Sequence, residues 1–307
     1  MKVAVVGAGG LGSYVGAVLA RAGQDVVLVA RRAHADAVAR DGLQVYSFEG
    51  DFLVHPQVVR STAEIARADL AIVAVKAYSL AEVSDQVAGL AAAGAIVVPL
   101  LNGVDASERL AALGVPADRL VDGIAYMTAF RTAPGKVVRR AEHQRLVIGS
   151  YGGADEAAIA RVEEAFQGSG VAVEVAEDIR VELWRKMAVV CSLSVVCALT
   201  GQSMGPIRSH RFGAELQARA IAEVIAVGRA NGVLLPIETE EEIGAILDAF
   251  PDDFHPSVIH DLKSGRRTEM EELGGVIARL ATAAGIEAPL HEAATCAVQL
   301  GEPASAE

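Results

Sequence analysis

The chain has 307 residues, enough for two domains; 52% are hydrophobic and only 4% aromatic, so a large core must be built from Ala, Val and Leu. Acidic side chains outnumber basic ones 39 to 27, a net charge of -12, and with no basic stripe to offset it this argues against a nucleic-acid-binding surface. Cys191, Cys197 and Cys296 lack metal-ligand spacing and read as small buried hydrophobes in a reducing cytoplasm.

A β-type run over residues 2–6 enters the turn Gly7-Ala8-Gly9-Gly10-Leu11-Gly12. An Ala/Leu-rich helical run follows, then a second β-type run over residues 25–30. Strand, GxGxxG, helix and strand in this order are the Rossmann fingerprint in its proper context. Gly7 allows the tight turn, Gly9 lets backbone approach a pyrophosphate, and Gly12 lets helix pack on strand. The helix N-terminus offers free N–H groups and a positive dipole end to the phosphates. A secretory signal is the weaker reading, because glycine crowds the place of an apolar h-region and no convincing cleavage site follows. NAD enzymes usually end the second strand in Asp or Glu; this one closes Val29-Ala30-Arg31-Arg32. Guanidinium forks suit a 2′-phosphate, so the expected cofactor is NADPH/NADP+.

Residues 42–48 and 51–55 look like strands. Residues 70–75 and 95–101 are continuous apolar runs, as strands buried on both faces should be. Residues 124–149, with a turn at Ala133-Pro134-Gly135, read as antiparallel strands on the sheet's far edge. A helix over 154–167 and a strand over 171–175 complete an α/β Rossmann domain, mainly parallel, over residues 1–176. From Asp178, which can cap a long helix through Trp184, Lys186 and Leu199, the pattern turns helical. Helices are expected over 214–231, 238–249, 256–262, 269–284 and 290–299, forming an all-α domain at 177–307 with a frayed tail over 301–307. The longest apolar helical run, residues 188–199, is too short to span a bilayer.

Ligands of parallel sheets sit at the carboxyl ends of the strands. Lys76 and Asn102 stand at two such ends. Lys76 could meet a phosphate or carboxylate and Asn102 a nicotinamide carboxamide or the reacting group, though each reads equally well as an ordinary helix start or turn residue. Lys186 opens a helical stretch otherwise apolar for more than three turns. Such a lysine either snorkels along its stem or is held in a cleft, where burial lowers its pKa and makes it a general acid. Ser257 and Glu269 precede or begin helices, where a carboxylate is favoured by the dipole alone; both are expected to face an interdomain cleft.

Together these motifs resemble the ketopantoate reductase (2-dehydropantoate 2-reductase) family over essentially the whole chain. The match is carried by Gly7 to Gly12, Val75-Lys76-Ala77, Asn102-Gly103, Glu182-Leu183-Trp184-Arg185-Lys186 and Arg267-Thr268-Glu269. The resemblance implies that Lys186 is the catalytic lysine and Glu269 its partner carboxylate. It implies that Asn102 and Lys76 line the cofactor and substrate cleft, that Arg31, beside Arg32, meets the 2′-phosphate, and that Ser257 binds substrate. The chain also departs from the family. Members acting on ketopantoate usually carry asparagine one turn beyond the catalytic lysine, and often again one turn later; here Val190 and Ser194 occupy those places. At i, i+4 and i+8, Lys186, Val190 and Ser194 are expected to form one pocket wall. The expected partner is a small 2-keto acid, with no metal, nucleic acid or membrane; a homodimer is left open. Rival readings are a dehydrogenase for another branched or aromatic 2-keto acid, a 3-hydroxyacid dehydrogenase (whose nearby asparagine is missing here), and a non-catalytic NADP(H) sensor.

Overall fold

The computed structural model describes residues 1–139, 144–152 and 156–302. They fall into two compact units, one within residues 1–101 and 105–179, the other within residues 102–104 and 180–302. The boundary expected at 176/177 falls at Ile179/Arg180. The short segment Asn102–Val104, expected in the first domain, belongs to the helical unit.

The strands of the first unit are β1 (Lys2–Val6), β2 (Asp25–Val29), β3 (Leu43–Tyr46), β4 (Phe52–Val54), β5 (Gln57–Val59), β6 (Leu70–Val73), β7 (Ile96–Pro99), β8 (Val121–Tyr126), β9 (Ala129–Ala133), β10 (Lys136–Arg139), β11 (Arg145–Ser150) and β12 (Ala172–Val175). Its helices are α1 (Gly10–Arg21), α2 (Arg32–Asp41), α3 (Leu80–Ala92), α4 (Ala106–Ala112) and α5 (Glu156–Phe166). The order β5-β2-β1-β6-β7 makes an all-parallel sheet. Its strands alternate between two cores. Val3, Val5, Leu28 and Ile72 join Tyr14, Val15, Val18 and Leu19 of α1 on one face. Ala4, Val6, Val27 and Val73 join Leu80, Val83, Val87 and Leu90 of α3 on the other. Burial on both faces explains why these strands read as unbroken apolar runs.

The expectation for residues 124–149 is half corrected. β8 and β11 do pair antiparallel, with β12 parallel to β11, and a parallel bridge from Val97 to Leu120 links this group to β7. β9 and β10 do not extend that edge. They join β3 and β4 in a separate sheet, β4-β3-β10-β9, in which β10 runs parallel to β3. Chain proximity suggested hairpin neighbours, but the pairing of β10 with β3 is decided by tertiary contacts. β5, only three residues, carries too short a pattern to be read. The expected helix start at 154 lies outside the described residues.

The second unit is helical among its described residues: α6 (Ile179–Thr200), α7 (Met204–Ser209), α8 (Arg211–Ala230), α9 (Thr239–Asp248), α10 (Ser257–Lys263), α11 (Val276–Ala284) and α12 (Pro289–Gly301). A π-helical turn, Glu271–Gly275, leads into α11. α7, six residues long, was not foreseen. At 22 residues α6 is long and apolar enough by composition to cross a membrane, longer than the run 188–199 indicated. Its apolar side chains, among them Trp184, Met187, Ala188, Cys191 and Val195, are part of the unit's core. Cys191 and Cys197 are buried as expected; Cys296 is exposed on α12, because its position faces away from that core. Of the expected tail, Gly301 closes α12 and residues 303–307 lie outside the description.

Candidate active site

In the first unit, the turn between β1 and α1 has the shape its glycines predict. Gly7 sits at φ +101°, and a Cβ there would stand 2.7 Å from the Val75 backbone nitrogen. A Cβ on Gly12 would stand 2.1 Å from the Gly7 carbonyl oxygen, and one on Gly10 2.2 Å from that of Ala129. Around Gly9, by contrast, nothing lies within 4 Å of where a Cβ would be. Three crowded glycines thus hold the turn tight while one presents open backbone, beside the N-terminus of a 12-residue helix. This fits a dinucleotide pyrophosphate: the space, free N–H groups and dipole coincide at one point. Ala8 donates its N–H to Val29 O at 3.3 Å, tying the turn to the end of β2.

The turn is braced by a buried histidine. His34 of α2 accepts the Gly135 N–H at Nδ1 (3.0 Å) and lies 3.1 Å from the Ser13 hydroxyl at Nε2. Since a backbone N–H can only donate, Nδ1 is the acceptor and the neutral ring carries its proton on Nε2. Burial, with Arg131 nearby, lowers the His34 pKa to about 4.

Beyond β2, Arg31 and Arg32 are exposed. Arg31 lies 3.8 Å from Glu82, an ion pair open to water and correspondingly weak. Arg32 has a φ of 55°, unusual for a side chain of this size. Lys76 is exposed at the turn after β6.

The helical unit assembles the other candidates. A crevice is lined by Asn102, Gly103, Leu183, Lys186, Met187, Val190 and Leu273. Lys186 is partly buried there, and burial lowers its pKa to about 8 against the opposing pull of the Glu269 carboxylate. Glu269 is 4% exposed, at the start of the helical segment that includes the π turn. Lys186, Glu269 and Asn102, far apart in sequence, are thereby brought into one unit.

Two candidates are placed otherwise. Ser194 is fully buried and donates its hydroxyl to Val190 O at 2.8 Å, so the expected wall ends at Val190. The reason is helical geometry: at 3.6 residues per turn, eight residues leave an offset of about 80° from Lys186. Ser257 is exposed at the first residue of α10 and does not line the crevice. Leu183, Met187 and Leu273 were not singled out from the sequence, since apolar residues on buried helices look alike whether they line a core or a crevice.

Two of the three thiols, Cys191 and Cys197, are buried. Burial raises the pKa of Cys191 strongly and that of Cys197 to about 11, so both stay protonated. Among the described residues no cluster of His, Cys, Asp and Glu could hold a metal.

The family model described as "Ketopantoate reductase PanE/ApbA" matches residues 3–153, and that of its C-terminal domain matches residues 178–302. A 2-dehydropantoate 2-reductase of Halobacterium salinarum is 33% identical, covering 98% of this chain and 99% of that one. The crystal structure of a PanE/ApbA family ketopantoate reductase from Ralstonia eutropha is 29% identical, with 98% of both chains covered and a TM-score of 0.89. A D-mandelate dehydrogenase in a ternary structure with NADH and anilino(oxo)acetate shares the fold, at 24% identity over 98% of both chains and a TM-score of 0.88.

Proposed function

The chain belongs to the ketopantoate reductase family of oxidoreductases, and from that premise we propose that it catalyses the NADPH-dependent reduction of 2-dehydropantoate, or a closely related 2-keto acid, to the 2-hydroxy acid. The observation that carries this reading is the partly buried Lys186 in a crevice with Asn102, under the influence of Glu269.

A nicotinamide dinucleotide, when bound, supplies the hydride. Gly9 and the N-terminus of α1 hold its pyrophosphate. Arg31, whose exposed pairing with Glu82 is weak enough to give way, together with Arg32 receives the 2′-phosphate. The Lys186 ammonium donates a hydrogen bond to the C2 carbonyl oxygen and passes its proton to the alkoxide that forms. With a pKa of about 8 it is mostly protonated at pH 7, yet more acidic than a solvated lysine. Glu269 keeps it from falling further. Asn102 offers an amide to the nicotinamide carboxamide or to the reacting group of the substrate. Lys76 is a second cation for phosphate or carboxylate.

A second reading has its own support. Val190, Leu183, Met187 and Leu273 surround the two polar groups of the crevice with apolar surface. That wall favours a branched or aromatic 2-keto acid lacking the ketopantoate hydroxyl. A purely sensing role is disfavoured by the Lys186–Glu269 arrangement. The deciding assay is oxidation of NADPH, and separately of NADH, against a panel of 2-keto acids. Turnover with several acids and a preference for NADPH is expected; no turnover with any acid removes the catalytic reading.

A further inference from the structure

The residues on either side of Glu269 are tied to Glu302, Thr268 directly and Met270 through the Thr268 hydroxyl. Glu302, the residue after α12, accepts the Thr268 N–H at 3.0 Å through Oε1. The Thr268 hydroxyl donates to the same oxygen in a second, short hydrogen bond. That hydroxyl in turn accepts the Met270 N–H at 3.1 Å. Thr268 is 3% exposed and Glu269 4%, so the strand of backbone carrying the carboxylate is enclosed as well as tethered. α12 supports the next turn too. Gln299 donates its amide to Glu271 at 2.8 Å, and a Cβ on Gly274 would stand 2.5 Å from the Thr295 hydroxyl oxygen.

We propose that Glu302 is a positioning residue of the active site, fixing the Glu269 carboxylate relative to Lys186 through Thr268. The idea rests on the catalytic reading given above. A carboxylate suits the task because it accepts two hydrogen bonds on one oxygen and strengthens both by its charge. Thr268 suits it because one hydroxyl links Glu302 to the Met270 N–H. Without the tether, the segment from Arg267 to Met270 loses its hold at Thr268, and Glu269 loses its fixed distance to Lys186. A displacement on the order of 1 Å at a reacting centre costs up to about a hundredfold in rate.

The test compares Glu302→Ala and Glu302→Gln in the full chain. In Glu302→Ala, kcat is expected to fall between about tenfold and a hundredfold. The alkaline limb of its pH profile should move to lower pH, because the carboxylate that holds up the Lys186 pKa is displaced. NADPH affinity should be unchanged. Glu302→Gln, whose amide oxygen still accepts from Thr268, should recover most of the rate and the native limb. A readout that does not need turnover is the pH dependence of Lys186 acylation, followed by mass spectrometry. Its midpoint should fall in Glu302→Ala and stay in Glu302→Gln, even if none of the tested acids is a substrate. A fluorescence melt of the single tryptophan, Trp184, establishes that each variant is folded. Native kinetics and a native Lys186 midpoint in Glu302→Ala would overturn the proposal; so would a rate loss equal in both variants with no shift of the midpoint.

Discussion

At the residue scale, the proposed chemistry turns on one amine and on what faces it. Lys186 titrates near 8 because burial outweighs the help of Glu269. Its ammonium is therefore present below about pH 8 and lost above it, and kcat should fall as the pH rises through that value. Lys186→Ala should lower kcat by about 10²–10⁴ while leaving NADPH affinity nearly unchanged; stopped-flow hydride transfer and cofactor fluorescence separate the two. A variant of near-native kcat would remove Lys186 from the mechanism. Glu269→Gln should move the alkaline limb downward, since only desolvation would then act on the amine. Selectivity is predicted to turn on Val190. It lines the crevice where an amide would meet a substrate hydroxyl, so Val190→Asn should raise kcat/KM for ketopantoate relative to 2-ketoisovalerate by about 1 kcal/mol, the net value of one hydrogen bond. A competition assay between the two acids reads this directly, and an unchanged ratio would mean that Val190 does not contact the side chain. Ser194, with its hydroxyl spent on Val190 O, is predicted to have no such influence.

At the element scale, the glycine turn is kept in place by a second sheet that the sequence did not separate from the first. The β9–β10 turn reaches His34 through the Gly135 N–H, and His34 meets Ser13 in the first turn of α1. This bracket works only with a neutral ring, because protonation removes the acceptor at Nδ1. The folded pKa, about 4, lies below the unfolded value of 6.5. As the pH falls through 6.5 the unfolded chain binds the proton first, so stability is lost between 6.5 and 4 and is fully present above. The loss amounts to about 3 kcal/mol. Urea unfolding followed by circular dichroism should show it, and His34→Gln should flatten the slope; an equally steep slope in that variant would assign the acid sensitivity elsewhere.

At the scale of the whole molecule, the two units are not two continuous halves of the chain. Val104, only a few residues beyond β7, packs against the helical core that also holds Trp184. Val104→Ala should therefore destabilise the helical unit by about 1 kcal/mol. The chain's one tryptophan lies in that core, so its fluorescence transition should shift while hydrogen exchange in β1 and β6 stays as in the native protein. The reverse pattern would place the segment with the parallel sheet. Much of this molecule was nonetheless legible in one dimension. Glycine spacing after a strand, runs apolar on both faces and helical periodicity after Asp178 are local signals, because backbone sterics and burial act residue by residue. They determined the Rossmann turn, the parallel strands and the helical second unit, and the family motifs pointed to Lys186, Glu269 and Asn102. The tertiary structure alone decided the rest. Pairing of β10 with β3 depends on chain segments far apart. Whether Ser194 faces a crevice or a core depends on an angular drift that accumulates along α6. Which carboxylate steadies Glu269 depends on α12 returning to Thr268, a contact 34 residues distant in sequence, and no periodicity encodes that closure.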